Sequence, residues 1–269
     1  MKYLLLFLAA CAPAPMTTPS SADELSNLDA LTPAELQGLA QARIFFGHHS
    51  VGRDILQGVA ELAAERPDLK LRLVETSSPQ DSAGPGLFHA AVGSNMDPAS
   101  KREEFAEVLA NCAEDLDLAL LKFCYVDVNS GTDPDAFVQE YEHILGSLRA
   151  AHPNLTLAHT TLPLRASPAG LVPRAKDLVK LLLGKPRSHD HNRARAAVNV
   201  TLRSRFDHQA LFDLARLEAT DSSGKLCSER ADATVPCLAP ENTSDGGHLS
   251  ATGRRKAAAA FLVFLARRL

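Results

Sequence analysis

Between residues 43 and 64 the chain changes hydrophobic period. Ile44, Phe45 and Phe46 form a short apolar run that breaks at Gly47 and passes through His48, His49 and Ser50. Ile55, Leu56, Val59 and Leu62 then recur at helical spacing, i, i+1, i+4 and i+7, as one apolar face. The same alternation returns along the chain. Strands are expected at about 43–47, 71–75, 117–123, 155–160 and 210–214. Helices are expected from about 51 to 64, around Phe105, Val108, Leu109 and Cys112, and from Asp133-Pro134 through Phe137, Tyr141, Ile144, Leu145 and Leu148. Further helices are expected at about 174–183, 192–206 and 251–268, and Thr32-Pro33-Ala34-Glu35 reads as a capped helix start. The segment through Gly84, Gly86, Gly93 and Asn95 reads as a long loop, as does the one holding Cys227 and Cys237.

Five strands alternating with helices imply an α/β fold whose parallel sheet is covered on both faces. A ligand site in such a sheet lies beyond the carboxyl ends of the strands. The polar residues collect there. His48, His49 and Ser50 follow the first strand, Gly93 and Asn95 the second, and Tyr125, Asp127 and Asn129 the third. Thr160 and Thr161 follow the fourth, and Asp245-Gly246-Gly247-His248 precedes the last helix. A serine at a strand-to-helix corner either caps the helix or stands clear as a nucleophile beside the first N–H groups. A nucleophilic serine needs a base oriented by a third group, and Asp245 with His248 is spaced to supply both. Read alone, Asp-Gly-Gly-His is more often a turn before a helix.

Taken together, Ser50 after a first strand, Gly93 after a second and Asp245-x-x-His248-Leu249 before a C-terminal helix resemble the SGNH (GDSL-type) hydrolases. The resemblance runs from about residue 43 to the end. It implies a three-layer, flavodoxin-like sandwich with a five-stranded parallel sheet, and ester hydrolysis or acyl transfer through an acyl-serine. Ser50 would attack, His248 would move the proton and Asp245 would orient His248. The oxyanion hole would comprise the N–H groups of Ser50 and Gly93 and an asparagine side chain. The first block departs from the family's Gly-Asp-Ser, reading Gly47-His48-His49-Ser50. The third block places Val126 where the family's asparagine stands, so Asn95 is the expected replacement, with Asn129 second. His48, His49, Tyr125, Asp127 and Thr161 are the candidate substrate contacts, with Arg165 beside them. For His48 and His49 the alternative is fixing the corner through backbone carbonyls; for Asp127 it is capping a turn. Lys122, inside an apolar strand, is expected to reach an edge or pair with a carboxylate.

Composition narrows the class. With 269 residues, 45% of them hydrophobic, one substantial core is available. The formal net charge is −4 and no basic block stands out, which gives nucleic acid no electrostatic footing. No cofactor is implied, and no CxxC occurs to suggest cysteine-ligated zinc. Met1-Lys2, the apolar stretch to Ala10 and Leu8-Ala9-Ala10-Cys11 resemble a bacterial lipoprotein signal, with Cys11 carrying the lipid. That implies export to the cell envelope and membrane attachment through Cys11, a flexible tether over 12–30 and a folded domain over 31–269. Export permits disulfides, and Cys227 with Cys237 is the expected pair. The expected substrate is a small-molecule or polysaccharide O-acyl ester, acetyl foremost. Alternatives are an acyltransferase with the same site, a non-catalytic carbohydrate-binding relative, and a metal hydrolase using His48, His49, Asp127 and His248.

Overall fold

A computed structural model describes residues 27–168, 170–230 and 232–269. The leader and Cys11 lie outside the described residues. Leu28, expected in the tether, is already part of the domain: it is buried within a 3₁₀ turn, Leu28–Ala30, and packs into the main core.

Six parallel strands form the central sheet: β1 (Arg43–His48), β2 (Leu73–Glu75), β3 (Gly86–Ala91), β4 (Leu118–Leu121), β5 (Thr156–Thr160) and β6 (Leu211–Phe212). Their spatial order is β2-β3-β1-β4-β5-β6. Strand β3 corrects the five-strand expectation. Glycines flank it and suggested a loop, but Leu87 and Phe88 are fully buried and the strand pairs with both β1 and β2. Gly93 and Asn95 therefore follow β3, not the strand at 73–75. Without edge strand β2, the order is that of a flavodoxin-like doubly wound sheet, whose switch point lies where β1 stands between β3 and β4.

Eight α-helices surround the sheet: α1 (Pro33–Gln41), α2 (Val51–Glu65), α3 (Pro98–Cys112), α4 (Pro134–Ala151), α5 (Leu171–Leu182), α6 (Ser188–Arg205), α7 (Leu214–Ala219) and α8 (Ala251–Ala266). Their starts follow the chemistry of the chain. Thr32 and Glu35 close a capping box with Pro33 at the first helical position, and Asp133 accepts from Asp135 N and Ala136 N ahead of Pro134. The expected strand at 210–214 shortens to two residues because Asp213 caps α7 by accepting from Arg216 N. A small antiparallel hairpin, β7 (Ser228–Glu229) with β8 (Asp232–Pro236), occupies the cysteine-containing loop.

Alternation along β1 divides the core. Ile44 and Phe46 face one layer with Leu39 of α1, Val59 of α2 and Phe261 of α8. Phe45 faces the other with Phe105 of α3, Tyr141 of α4 and Leu202 of α6. Helices α2 and α8 pack side by side. A Cβ at Gly58 would lie 2.7 Å from Arg254 O and 2.8 Å from Ala258 Cβ, so only glycine allows this approach. Among the described residues no helix is long and apolar enough to cross a membrane.

Candidate active site

The turn after β1 is tight. Gly52 N donates to His49 O and Arg53 N to Ser50 O, and Ser50 is held at φ 49°, ψ −111°. Ser50 stands at the N-cap of α2 but its hydroxyl makes no cap. Instead its Oγ lies 2.8 Å from His248 Nε2. The Nδ1 of His248 is 2.6 Å from Asp245 Oδ2. A carboxylate at Nδ1 fixes the proton there, which leaves Nε2 as an acceptor for the serine hydroxyl. Asp245 Oδ1 also accepts from Gly247 N and His248 N. His248 and these N–H groups hold the Asp245 carboxyl well below the usual carboxylate range.

Three contacts fix the loop that carries His248. Thr243 Oγ1 donates to His248 O, Gly246 N donates to Thr243 Oγ1, and Leu249 N donates 3.0 Å to Asp54 Oδ2 on the first turn of α2. Asp54 thus ties the helix behind the serine to the loop bearing the imidazole. It escaped notice in the sequence because an acidic residue in a first helical turn ordinarily serves the helix itself.

The loop after β3 forms the opposite wall. Gly93 adopts φ +62°, and a Cβ there would sit 2.4 Å from Lys101 N, so glycine is needed for the loop to approach α3. Its N–H donates 2.7 Å to Glu104 Oε2, which corrects the assignment of Gly93 as an oxyanion donor: the proton is already engaged. Its carbonyl is 2.9 Å from His49 Nε2, so His49 fixes the corner through a backbone carbonyl. Asn95 is exposed, and its Oδ1 accepts from Lys101 Nζ at 3.0 Å, leaving the amide nitrogen as its free end. Among the described residues the backbone N–H groups of Ser50 and Asn95 have no acceptor.

Lys101 also meets Asp127 at 2.6 Å, both side chains fully buried. Asp127 accepts in addition from Cys124 N and Met96 N. It therefore anchors the β3 and β4 loops to each other and is no substrate contact. Thr161 is also sealed, donating to Asp213 and accepting from Ala215 N. His48 is 3% exposed, with Nε2 3.2 Å from His89 Nδ1, and burial drives its pKa down to about 2. These three expected contacts are excluded by burial. Asn129 holds a turn by accepting from Gly131 N. Lys122 reaches no edge; it is fully buried and donates to Phe123 O. His48, His49, Asp127 and His248 are each tied to different partners. Among the described residues no three His, Cys, Asp or Glu side chains gather as a metal site.

Tyr125 does border the site. Its ring centroid is 6.3 Å from that of His248, and a Cβ at Gly247 would lie 3.0 Å from its hydroxyl. Arg165 stacks over the same ring at 5.0 Å, and Arg195 approaches it at 5.9 Å. A cavity of about 610 Å³ opens here, lined by Arg165, Asn192 and Arg195 and by the loop through Asp245 and Gly246. Arg195 left no signal in the sequence, being one of several arginines along a polar helix. The Cys227 and Cys237 sulfurs, the pair expected to bridge, face each other at 2.7 Å.

No protein-family model matches the chain, and no curated protein matches it. Among solved structures, the chain is similar to one described as "a putative platelet activating factor from Streptococcus pneumonia". The identity is 13% over 91% of this chain and 89% of that one, with a TM-score of 0.43.

Proposed function

We propose that the chain is a serine ester hydrolase of SGNH type. The observation that carries this reading is the continuous hydrogen-bonded line from Ser50 Oγ through His248 to Asp245, with separations of 2.8 and 2.6 Å. Ser50 Oγ bonds to the ester carbonyl carbon while its proton passes to His248 Nε2. The carbonyl electron pair moves onto oxygen, giving a tetrahedral oxyanion. When the pair returns, the carbon–alkoxide bond breaks, and His248 delivers its proton to the departing alcohol. Water then repeats the sequence on the acyl-serine, losing its proton to His248 and releasing the acid and free Ser50. Asp245 remains ionised throughout, held so by its contacts with His248 and Gly247.

The oxyanion is received by donors this chain leaves unengaged: the N–H of Ser50, the N–H of Asn95 and the Asn95 side-chain amide, whose other end Lys101 restrains. Gly93 acts one step removed, by setting the path of the loop. This arrangement accounts for a valine in the third block without loss of the hole. The leader supports a lipid-anchored protein of the bacterial envelope, with Cys11 as its attachment.

The test is labelling of the purified full chain by a fluorophosphonate, which reacts with activated serines. Labelling that disappears in Ser50→Ala and in His248→Gln, together with hydrolysis of 4-nitrophenyl acetate, is expected. Absence of labelling in the wild-type chain at neutral pH overturns the hydrolase reading in favour of a binding protein with this fold.

A further inference from the structure

Two guanidinium groups lie against the ring of Tyr125, which stands edge-on to His248, and neither forms an ion pair among the described residues. Arg195 is 6% exposed, donates Nε to Tyr125 O at 2.6 Å and Nη1 to Asn192 Oδ1 at 2.7 Å, and has no partner for Nη2 among the described residues. Arg165 stacks on the ring, and its guanidinium has neither a hydrogen-bond acceptor nor a carboxylate partner among the described residues. Its Nη2 lies 3.9 Å from where a Cβ of Gly246 would stand, which sets it against the loop carrying His248.

The carboxylates at this wall, Asp245 and Glu229, carry the opposite charge, but neither hydrogen-bonds to a guanidinium of the pair. Asp245 is committed to His248 and two backbone N–H groups. Glu229 acts favourably on Arg195, but its oxygens accept from Asn192 Nδ2 and Ser167 Oγ. The His191 ring accepts from Ser130 N, and burial and Arg195 lower its pKa. Like charges in a cleft are costly unless something answers them, and a guanidinium fork suits the paired oxygens of a carboxylate or phosphate.

We infer that this cavity binds an anionic group on the alcohol portion of the ester, a carboxylate or phosphate gripped by Arg165 and Arg195. The inference rests on the hydrolase reading above for which portion it is. His248 must return its proton to the leaving oxygen, so the alcohol lies on the His248 side, and Arg165, Arg195 and Tyr125 border that side. The acyl group, which stays bonded to Ser50, extends in the other direction, toward the Asn95 loop. The substrate class is thus an O-acylated hydroxy acid, sugar acid or phosphorylated alcohol, and neutral acyl esters are the poorer substrates.

Two readouts keep the two readings separable. The first compares kcat/KM for release of acetate from 3-acetoxybenzoate and from its methyl ester, in which a methyl group masks the negative charge on the alcohol portion. The second follows the melting temperature with inorganic phosphate, which requires no turnover. We expect the full chain to prefer the anionic ester by at least about tenfold, and Arg165→Gln to bring that ratio down to about one. Phosphate is expected to raise the melting temperature of the wild-type chain and not that of Arg165→Gln. Fluorophosphonate labelling with no charge preference and no Arg165-dependent phosphate effect overturns the anion site and leaves the hydrolase standing. Phosphate binding that depends on Arg165, without labelling, overturns the hydrolase and leaves the anion site. Failure of every readout overturns both. Arg165→Gln is the informative variant because Arg165 is half-buried and bears no hydrogen bond the fold depends on, whereas Arg195 is packed inside.

Discussion

Ser50 holds a positive φ that a residue with a Cβ adopts only at a cost of about 1–3 kcal/mol. The surrounding turn sustains that cost, and the return is an Oγ aimed at His248 instead of at the helix end. Ser50→Gly should therefore raise the unfolding free energy by about 1 kcal/mol in denaturant titrations while abolishing fluorophosphonate labelling. Ser50→Ala keeps the Cβ and should stay near the wild-type stability. Across the cleft, the Asn95 amide is held at one end and free at the other. Asn95→Ala should lower kcat by about 10²–10³-fold, corresponding to about 2.7–4 kcal/mol in the transition state, with little change in the melting temperature because the side chain is exposed. An unchanged kcat would assign the oxyanion to backbone N–H groups alone.

At the scale of elements, the serine and its base are brought together by two helices rather than by the sheet alone. Ser50 precedes α2, His248 precedes α8, and Gly58 is where these helices touch most closely. Gly58→Leu should separate them, lowering stability by about 1–3 kcal/mol and slowing labelling of Ser50. Gly146 on α4 provides the contrast: nothing lies within 4 Å of a Cβ there, so Gly146→Ala should stabilise by about 0.5–1 kcal/mol and leave labelling unchanged. The elements that mattered most were legible where their local chemistry was unambiguous. Asp133-Pro134 opened α4 as expected, and the apolar run at 44–46 gave β1. Strand β3 was not legible, because its residues are buried by neighbours remote in sequence and its flanking glycines read locally as a loop. The triad lay within reach of pattern and resemblance. The oxyanion wall did not, since whether the Gly93 N–H is free depends on Glu104, a residue whose helical position says nothing about where its carboxylate goes. Nor did the burial of His48 show itself, a polar residue that follows a strand being ordinarily expected in the cleft.

Over the whole molecule, acid and base groups sealed inside set how stability varies with pH. Burial pushes the Glu218 carboxyl up to about 8, with Leu164 N–H and the Lys122 charge acting against that shift. Its folded pKa exceeds the ordinary glutamate value of 4.5, so the protonated side chain stabilises the fold at low pH, and that contribution is lost as pH rises from 4.5 to about 8. His48 works in the opposite sense. Its pKa is depressed from 6.5 to about 2, so its stabilisation is present above pH 6.5 and disappears as pH falls toward 2. The two oppose each other between pH 4.5 and 6.5, and above that window Glu218 acts alone. The denaturant midpoint should therefore fall between about pH 6.5 and 8 in the wild-type chain and change less over that interval in Glu218→Gln.

The distance along the chain between hydroxyl and imidazole, 198 positions, bears on when the two can meet. Ser50 is synthesised early, and all six strands of the sheet are made before its imidazole partner follows. A chain cut short ahead of His248 carries a serine at that corner with no imidazole partner. The pairing therefore cannot precede the sheet that frames it.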